Sequence, residues 1–198
     1  MQDKNDRRIQ RTRNFLRDAL ISLILEKGYD SVSVQEIAAR ADVGRATFYL
    51  HYQDKDGLLL ECVEAIVAAF MQQVQQQNVE EWISSDGAPI RMVFLFARQN
   101  ADLFRVIMRG HGGIKASQRL QSIVAEKTSQ VVLASTRRSG VQLTIPVEVI
   151  SNFFAGSLLA LINWWLEKDA PYSAEEMAEM FRKLVMFNRE NLLRFAAL

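Results

Sequence analysis

Apolar residues recur along this chain at helical spacing. Ile9, Leu16, Leu20, Leu23 and Ile24 fall on one stripe, which predicts an amphipathic helix over 8–27 that stops at Gly28. Ser33-x-x-Glu36 has the spacing of a capping box, in which the Ser hydroxyl takes a free first-turn N–H and the Glu reaches back. It predicts a helix over 34–41. A tight turn at Asp42-Val43 leads to a short helix over 45–50, and Asp54 caps a long one over 55–76. Further apolar periodicity predicts helices over 88–100, 102–108, 115–138, 147–168 and 174–195, the last opened by a second capping box, Ser173-x-x-Glu176. Pro89, Pro146 and Pro171 each precede such a stretch, where a missing N–H costs nothing. No segment alternates apolar and polar residues long enough to propose a sheet. The expected class is all-α.

The stretch from Ser33 to Tyr52 has the pattern of a helix-turn-helix. Ile37, Ala41, Val43 and Phe48 supply its apolar positions, and Ala38 is small where the helices cross. The turn requires positive φ, which Asp42 tolerates better than most residues. With those side chains inward, the second short helix presents Arg45, Thr47 and Tyr49 outward, and such a helix fits the major groove of B-form DNA. His51 and Tyr52 follow it as candidate phosphate ligands, and Lys55 stands where a helix start favours an anion. Ser33 and Gly44, at the starts of the two short helices, are counted with this surface.

The whole-chain charge says nothing of this. The chain has 198 residues with net charge +1, 49% hydrophobic and 24% charged, which is ordinary for a globular protein of one large or two small domains. Residues 1–17, however, hold six basic side chains against two acidic ones, a local +4. Arg8 and Arg11 from this arm are expected to add phosphate contacts. No apolar run follows the charges, so the arm does not read as a signal peptide. The most apolar stretch, Val149–Leu166, is broken by Ser151, Asn152, Ser157 and Asn163 and reads as a buried helix. One cysteine, Cys62, excludes an internal disulfide, and one Cys with two His excludes a Cys-based zinc finger. The chain suits a cytoplasmic, reducing setting. Carboxylates beside Cys62 disfavour its thiolate, so it reads as inert. His51 has no nucleophile or carboxylate at a recognisable spacing, which speaks against an enzyme. No cofactor and no metal is expected.

At this point the chain resembles the TetR family of bacterial transcriptional regulators. The resemblance covers residues 8–60 and rests on Gly28-Tyr29, Ser33-Val34-x-Glu36-Ile37-Ala38, Val43-Gly44-Arg45-Ala46-Thr47-Phe48-Tyr49, and His51-Tyr52-x-Asp54-Lys55-x-Gly57-Leu58-Leu59. Gly44 departs from the Ser or other capping residue usual in the family, and Asp42 from the common turn Gly. The resemblance implies a three-helix DNA-binding domain, 1–60, and a larger helical ligand-binding and dimerisation domain, 61–198. It also implies a homodimer on a palindromic double-stranded operator, acting as a repressor; the polar breaks in 149–166 separately speak for no membrane partner. The alternatives are a helical DNA-binding structural or adaptor protein without an effector, and a helical enzyme.

In the second half, Met92, Phe94, Phe104 and Met108 are candidates to line a pocket for a small apolar effector, although their near-helical spacing equally suits a core. Arg109-Gly110-His111-Gly112-Gly113 reads as a loop rather than a phosphate cradle, for no strand precedes it. The last two helices are apolar nearly all round, which requires burial on both sides. Phe153, Trp165, Phe181 and Leu184 are therefore expected at a dimer contact, with Gly156 and Ala160, four apart, letting two backbones come close.

Overall fold

The computed structural model describes residues 2–75, 88–108, 114–140 and 142–195, and the side chains of 7–74, 90–108, 114–138 and 142–185. Among the described residues every regular element is a helix: α1 (Gln2–Lys27), α2 (Val34–Arg40), α3 (Arg45–His51), α4 (Lys55–Gln75), α5 (Ala88–Gln99), α6 (Ala101–Met108), α7 (Ile114–Ser139), α8 (Val147–Glu167) and α9 (Ala174–Phe195). The expected all-α class holds. The main boundary difference is α1, which starts six residues before the predicted 8. Residues 2–7 are polar and carry no apolar stripe, so periodicity gives no sign of them. They contain no Gly or Pro to stop a helix, and Asp3 and Asp6 suit its positive end.

The chain divides into two compact units. The first comprises residues 1–67 with 102–120, and the second 68–101 with 121–198. The division at Val67 falls inside α4. The first unit also takes in α6 and the start of α7, which the expected 1–60 did not. Val106, Ile107, Ala116 and Leu120 of that stretch are buried, and two exposed ion pairs join it to α4, Lys115 Nζ to Asp56 at 3.2 Å and Arg119 to Glu64 at 2.6 Å.

The core of the first unit is built from the predicted stripe. Leu16, Leu20, Leu23 and Ile24 of α1 are buried, as are Ile37 and Ala38 of α2 and Phe48 of α3. Burying a side chain such as Phe48 contributes about 1.5–3 kcal/mol. Arg40 ties α2 to α1 through two guanidinium bonds to Glu26, at 2.7 and 2.8 Å, and one to Ser22 Oγ at 2.8 Å.

In the second unit α5 packs against α8 and α9. The Phe94 ring meets Trp165 edge-on at 5.5 Å, and Phe154 meets Phe181 edge-on at 5.2 Å. The Trp165 indole N–H donates to the Tyr172 carbonyl at 2.9 Å, so its one polar group is satisfied. Lys55–Val74 and Val147–Glu167 are long and apolar enough to cross a membrane by length and composition. In α8, however, Ser151, Ala155, Leu158, Leu159, Ile162, Trp165 and Leu166 are buried in protein while Val149, Phe153 and Trp164 are exposed, so the buried helix expected over 149–166 is buried on one face only.

Candidate nucleic-acid interface

The turn before α3 sets the direction in which its side chains point. Asp42 takes φ 54°, the left-handed geometry the sequence requires of it. Its N–H donates to the Ala39 carbonyl at 3.2 Å, and the next N–H, of Val43, donates to the Ala38 carbonyl at 2.9 Å. Together these form a Schellman motif, which closes the free carbonyls of α2 and reverses the chain within two residues. Gly44 then caps α3 with extended backbone, φ −69° and ψ 147°, and no side chain completes that cap.

Phe48 alone of the α3 residues is buried. It lies between Tyr49, 5.5 Å away and nearly perpendicular, and Tyr52 at 5.7 Å. Arg45 and Tyr49 are exposed on one flank of α3, as expected, and Thr47 and His51 are half-buried on the other. The Arg45 guanidinium carbon stands 5.5 Å from the centre of the Tyr49 ring, and its Nη2 donates to the Tyr49 hydroxyl at 3.4 Å. The tyrosine thus steadies a cation that would otherwise sweep many rotamers. Ala46 and Leu50 are exposed as well. The sequence reading passed over both, although their spacing from Phe48 marks them as outward.

Around α3 the predicted residues are placed in different ways. Ser33 is exposed, and its hydroxyl and backbone N–H are engaged in the capping box, the N–H donating to Glu36 at 2.9 Å. Lys27 bonds the same carboxylate, and together with Ser33 it holds the Glu36 carboxyl down at about 2. Arg8 and Arg11 are exposed on α1, with Arg11 5.3 Å from the Phe15 ring. Lys55 uses two of its three ammonium donors on the carbonyls of Tyr29 and Val32, both at 2.8 Å.

Tyr52 corrects an expectation. It is buried, and its hydroxyl donates to Glu61 at 2.8 Å. Burial first, and the Glu61 carboxylate second, push that hydroxyl's pKa up. Tyr52 is thus a core residue and not a phosphate ligand. Tyr29 behaves likewise, donating its hydroxyl to Asp56, which in turn pairs with Lys115. Cys62 is fully covered and its thiol is pushed up to about 12. Burial is the leading cause there, ahead of the neighbouring carboxylate.

The four candidate effector residues are divided between the two units. Met92 and Phe94 belong to the second, Phe104 and Met108 to the first. Phe94 and Phe104 are buried, while Met92 and Met108 are half-buried. Sequence reasoning missed a groove of about 520 Å³ in the first unit, lined by Asp18, Ile21, Ser22, Leu25 and Glu26 of α1 with Asp102 of α6. The 109–113 stretch lies outside the described residues. Among the described residues, no group of three or more His, Cys, Asp or Glu is placed to hold a metal ion.

The expected contact residues of α8 and α9 separate into two sets. Trp165 and Phe181 are 0% and 2% exposed. Their surfaces are spent inside the second unit, which removes them from any contact with another chain. Phe153 and Leu184 are 57% and 56% exposed. Phe153 continues a stripe through Val149, Gly156, Ala160 and Trp164, with spacings of 4, 3, 4 and 4 residues. Those spacings place all five on one face of α8, turned away from Ala155, Leu158 and Ile162. Phe187, Leu192 and Phe195 lie outside the described side chains.

Comparison with known proteins places this geometry in context. The family model described as bacterial regulatory proteins, tetR family, matches residues 16–62, and a model of a transcriptional regulator C-terminal region matches residues 89–187. An uncharacterised helix-turn-helix-type transcriptional regulator of Haemophilus influenzae is 28% identical over 128 residues, 62% of this chain and 60% of that protein. A second relative, YwcC of Bacillus subtilis, is 29% identical over 93 residues, 43% of this chain and 42% of that one. The chain therefore spans about half the length of the curated relatives it matches. Among solved structures, a protein of Syntrophomonas wolfei described as a TetR-family transcriptional regulator superposes with a TM-score of 0.69 at 23% identity, over 88% of this chain and 93% of that one. FadR of Bacillus subtilis, solved with stearoyl-CoA, superposes with a TM-score of 0.66 at 16% identity, over 86% and 95%. At these identities the likeness is one of fold.

Proposed function

The chain belongs to the TetR family of bacterial regulatory proteins, and from that premise we propose that it works in the cytoplasm as a homodimer that grips a palindromic operator with α3 of each subunit and represses transcription there. The observation that carries this reading is the α3 surface itself, where Arg45 stands steadied on Tyr49 beside an otherwise exposed helix face. Arg to guanine is the commonest specific major-groove contact. Thr47, His51 and the Gly44 backbone belong to the same helix and its cap, and Arg8, Arg11 and Ser33 are exposed on α1 and at the start of α2. They would hold phosphates, which position the protein without reading sequence. Lys55 has one ammonium donor left for a phosphate, its other two being spent on carbonyls.

The α8 stripe, exposed at Val149, Phe153, Ala160 and Trp164 and half-buried at Gly156, supports the dimer. Two copies of one helix face, related by a two-fold axis, are self-complementary, and Gly156 and Ala160 would let the backbones approach. Control by a small apolar ligand is the further part of the reading. Met92, half-buried in the second unit, supplies an adaptable side chain, and the same fold in Bacillus subtilis FadR holds stearoyl-CoA. Such a ligand releases the operator only if it binds the free dimer better than the DNA-bound one. By linkage the operator then weakens the ligand equally, typically 5–150-fold.

The test is a binding titration on duplexes selected by the full chain from a random-sequence library. Arg45→Ala should cost about 1–3 kcal/mol and relax the preference at one base position of each half-site. Full sequence discrimination by that variant would remove Arg45 from base reading. Equal ligand affinity with and without operator, for a ligand found by thermal shift, would contradict release by that ligand.

A further inference from the structure

We propose that α3 reads thymine methyl groups through an apolar ridge, Ala46 and Leu50, so that each half-site carries thymine where this ridge lands. The inference rests on the reading that α3 enters the major groove, and it names the base chemistry met at its centre.

Leu50 is 82% exposed, the highest value of any large apolar side chain described. A lone exposed leucine on a surface carries no meaning. This one stands on the one short helix whose opposite face is pinned by Phe48. At 100° per residue, Ala46 and Leu50 each lie about 160° around the helix from Phe48, one on either side. They point most directly away from the core, and four residues apart they form a single ridge. Arg45 and Tyr49 flank the ridge on one side, Thr47 and His51 on the other. When α3 lies in a groove, the ridge meets the base edges at the centre of the contact, and the polar side chains meet what lies beside it.

The base edges decide what such a ridge can accept. In the major groove guanine offers two acceptors, cytosine a donor, and adenine one of each. Only thymine presents an apolar group, its C5 methyl. An isobutyl side chain pressed on any other edge strips water from a polar group and returns no partner. The ridge therefore favours thymine and also disfavours the other edges, and discrimination draws on both effects. Arg45 serves a different position, because its guanidinium is held to the Tyr49 flank.

The experiment compares thymine with uracil, which has the same pairing edge and lacks the methyl. The full-length chain selects duplexes from a random-sequence library. The recovered duplex is then synthesised with each thymine replaced in turn by deoxyuridine. Burial of one methyl is worth about 0.8 kcal/mol, so replacing the thymine under the ridge should weaken binding about fourfold, and replacing both symmetry mates about fifteenfold. Leu50→Ala should bind the thymine and uracil duplexes within about twofold of each other, while Arg45→Ala keeps the difference. Circular dichroism confirms that Leu50→Ala is folded, and Leu50→Met, which keeps an apolar tip, should retain the preference. Wild-type binding insensitive to every deoxyuridine would overturn the ridge and leave operator binding standing. Sensitivity that survives in both Leu50→Ala and Ala46→Ser would assign the methyl to a side chain outside the ridge and overturn it equally. Failure to enrich any sequence would overturn operator reading itself, and the ridge with it.

Discussion

The ammonium of Lys55 lies 4.3 Å from the centre of the Tyr29 ring and donates to the Tyr29 carbonyl at 2.8 Å, so the first residue of α4 holds down the loop between α1 and α2. A charged hydrogen bond is worth more than an ordinary one, and here it adds to the Val32 N–H that the Tyr29 carbonyl already accepts at 3.1 Å. Lys55→Met keeps the stem and removes the donors. It should lower the unfolding free energy by about 1–3 kcal/mol in urea titrations. If the amine also holds a phosphate, the slope of log affinity against log salt should fall by about one for each subunit. A variant as stable as the parent would show the tether to be idle. Lost stability with an unchanged slope would leave Lys55 a structural residue alone.

Part of the acid stability should trace to two carboxylates. Glu26, bonded first to Arg40 and then to Ser22, and Glu36, bonded first to Lys27 and then to Ser33, are both lowered from 4.5 to about 2. A carboxyl held below its unfolded value contributes stability that is complete above about pH 4.5 and is lost as pH falls toward 2. Glu26→Gln and Glu36→Gln should each be less stable than the parent at pH 7, and the gap should close between those limits. Both groups are exposed, so added salt should shrink the effect. Unfolding followed against pH checks this, and a gap that persists at pH 2 would contradict it.

Much of the first unit is legible in the sequence, for reasons of local chemistry. Asp42 announces its positive φ by standing where a turn needs one, and the Ser33–Glu36 box needs only three residues of chain. Features set by distant partners are not legible. Lys55 reads only as a phosphate ligand, and its hold on the Tyr29 and Val32 carbonyls shows only in the fold. Tyr52 stands directly after His51, and only its partners Glu61 and Phe48 draw it inward. Trp164 and Trp165 are adjacent and alike, yet one residue turns a helix by 100°, which leaves Trp164 partly exposed and buries Trp165. Phe94 and Phe104 share a periodic stretch but fall in different units, because residues 102–120 attach to the first.

The exposed stripe of α8 and its neighbour on α9 yield a prediction about assembly. Phe153 and Leu184 contribute little to the core of their own subunit. Phe153→Glu and Leu184→Glu should therefore leave helicity unchanged. In a self-complementary contact each substitution buries two unpaired charges, one per subunit, which is strongly unfavourable. Sedimentation equilibrium should show monomers at concentrations where the parent is dimeric. A folded variant that still dimerises with parental affinity would move the contact elsewhere.

The central claim is that two copies of α3 read one operator together, and half-site spacing tests it most directly. Helices of a dimer that enter successive major grooves must sit about one helical turn of DNA apart, roughly 34–36 Å. Inserting five base pairs between the half-sites of the selected operator turns them to opposite faces of the duplex while leaving every base contact in place. Affinity of the full chain for that duplex should collapse to the level of a single half-site. Affinity unchanged by the insertion would mean that each subunit binds alone, and the paired-helix mechanism would be wrong.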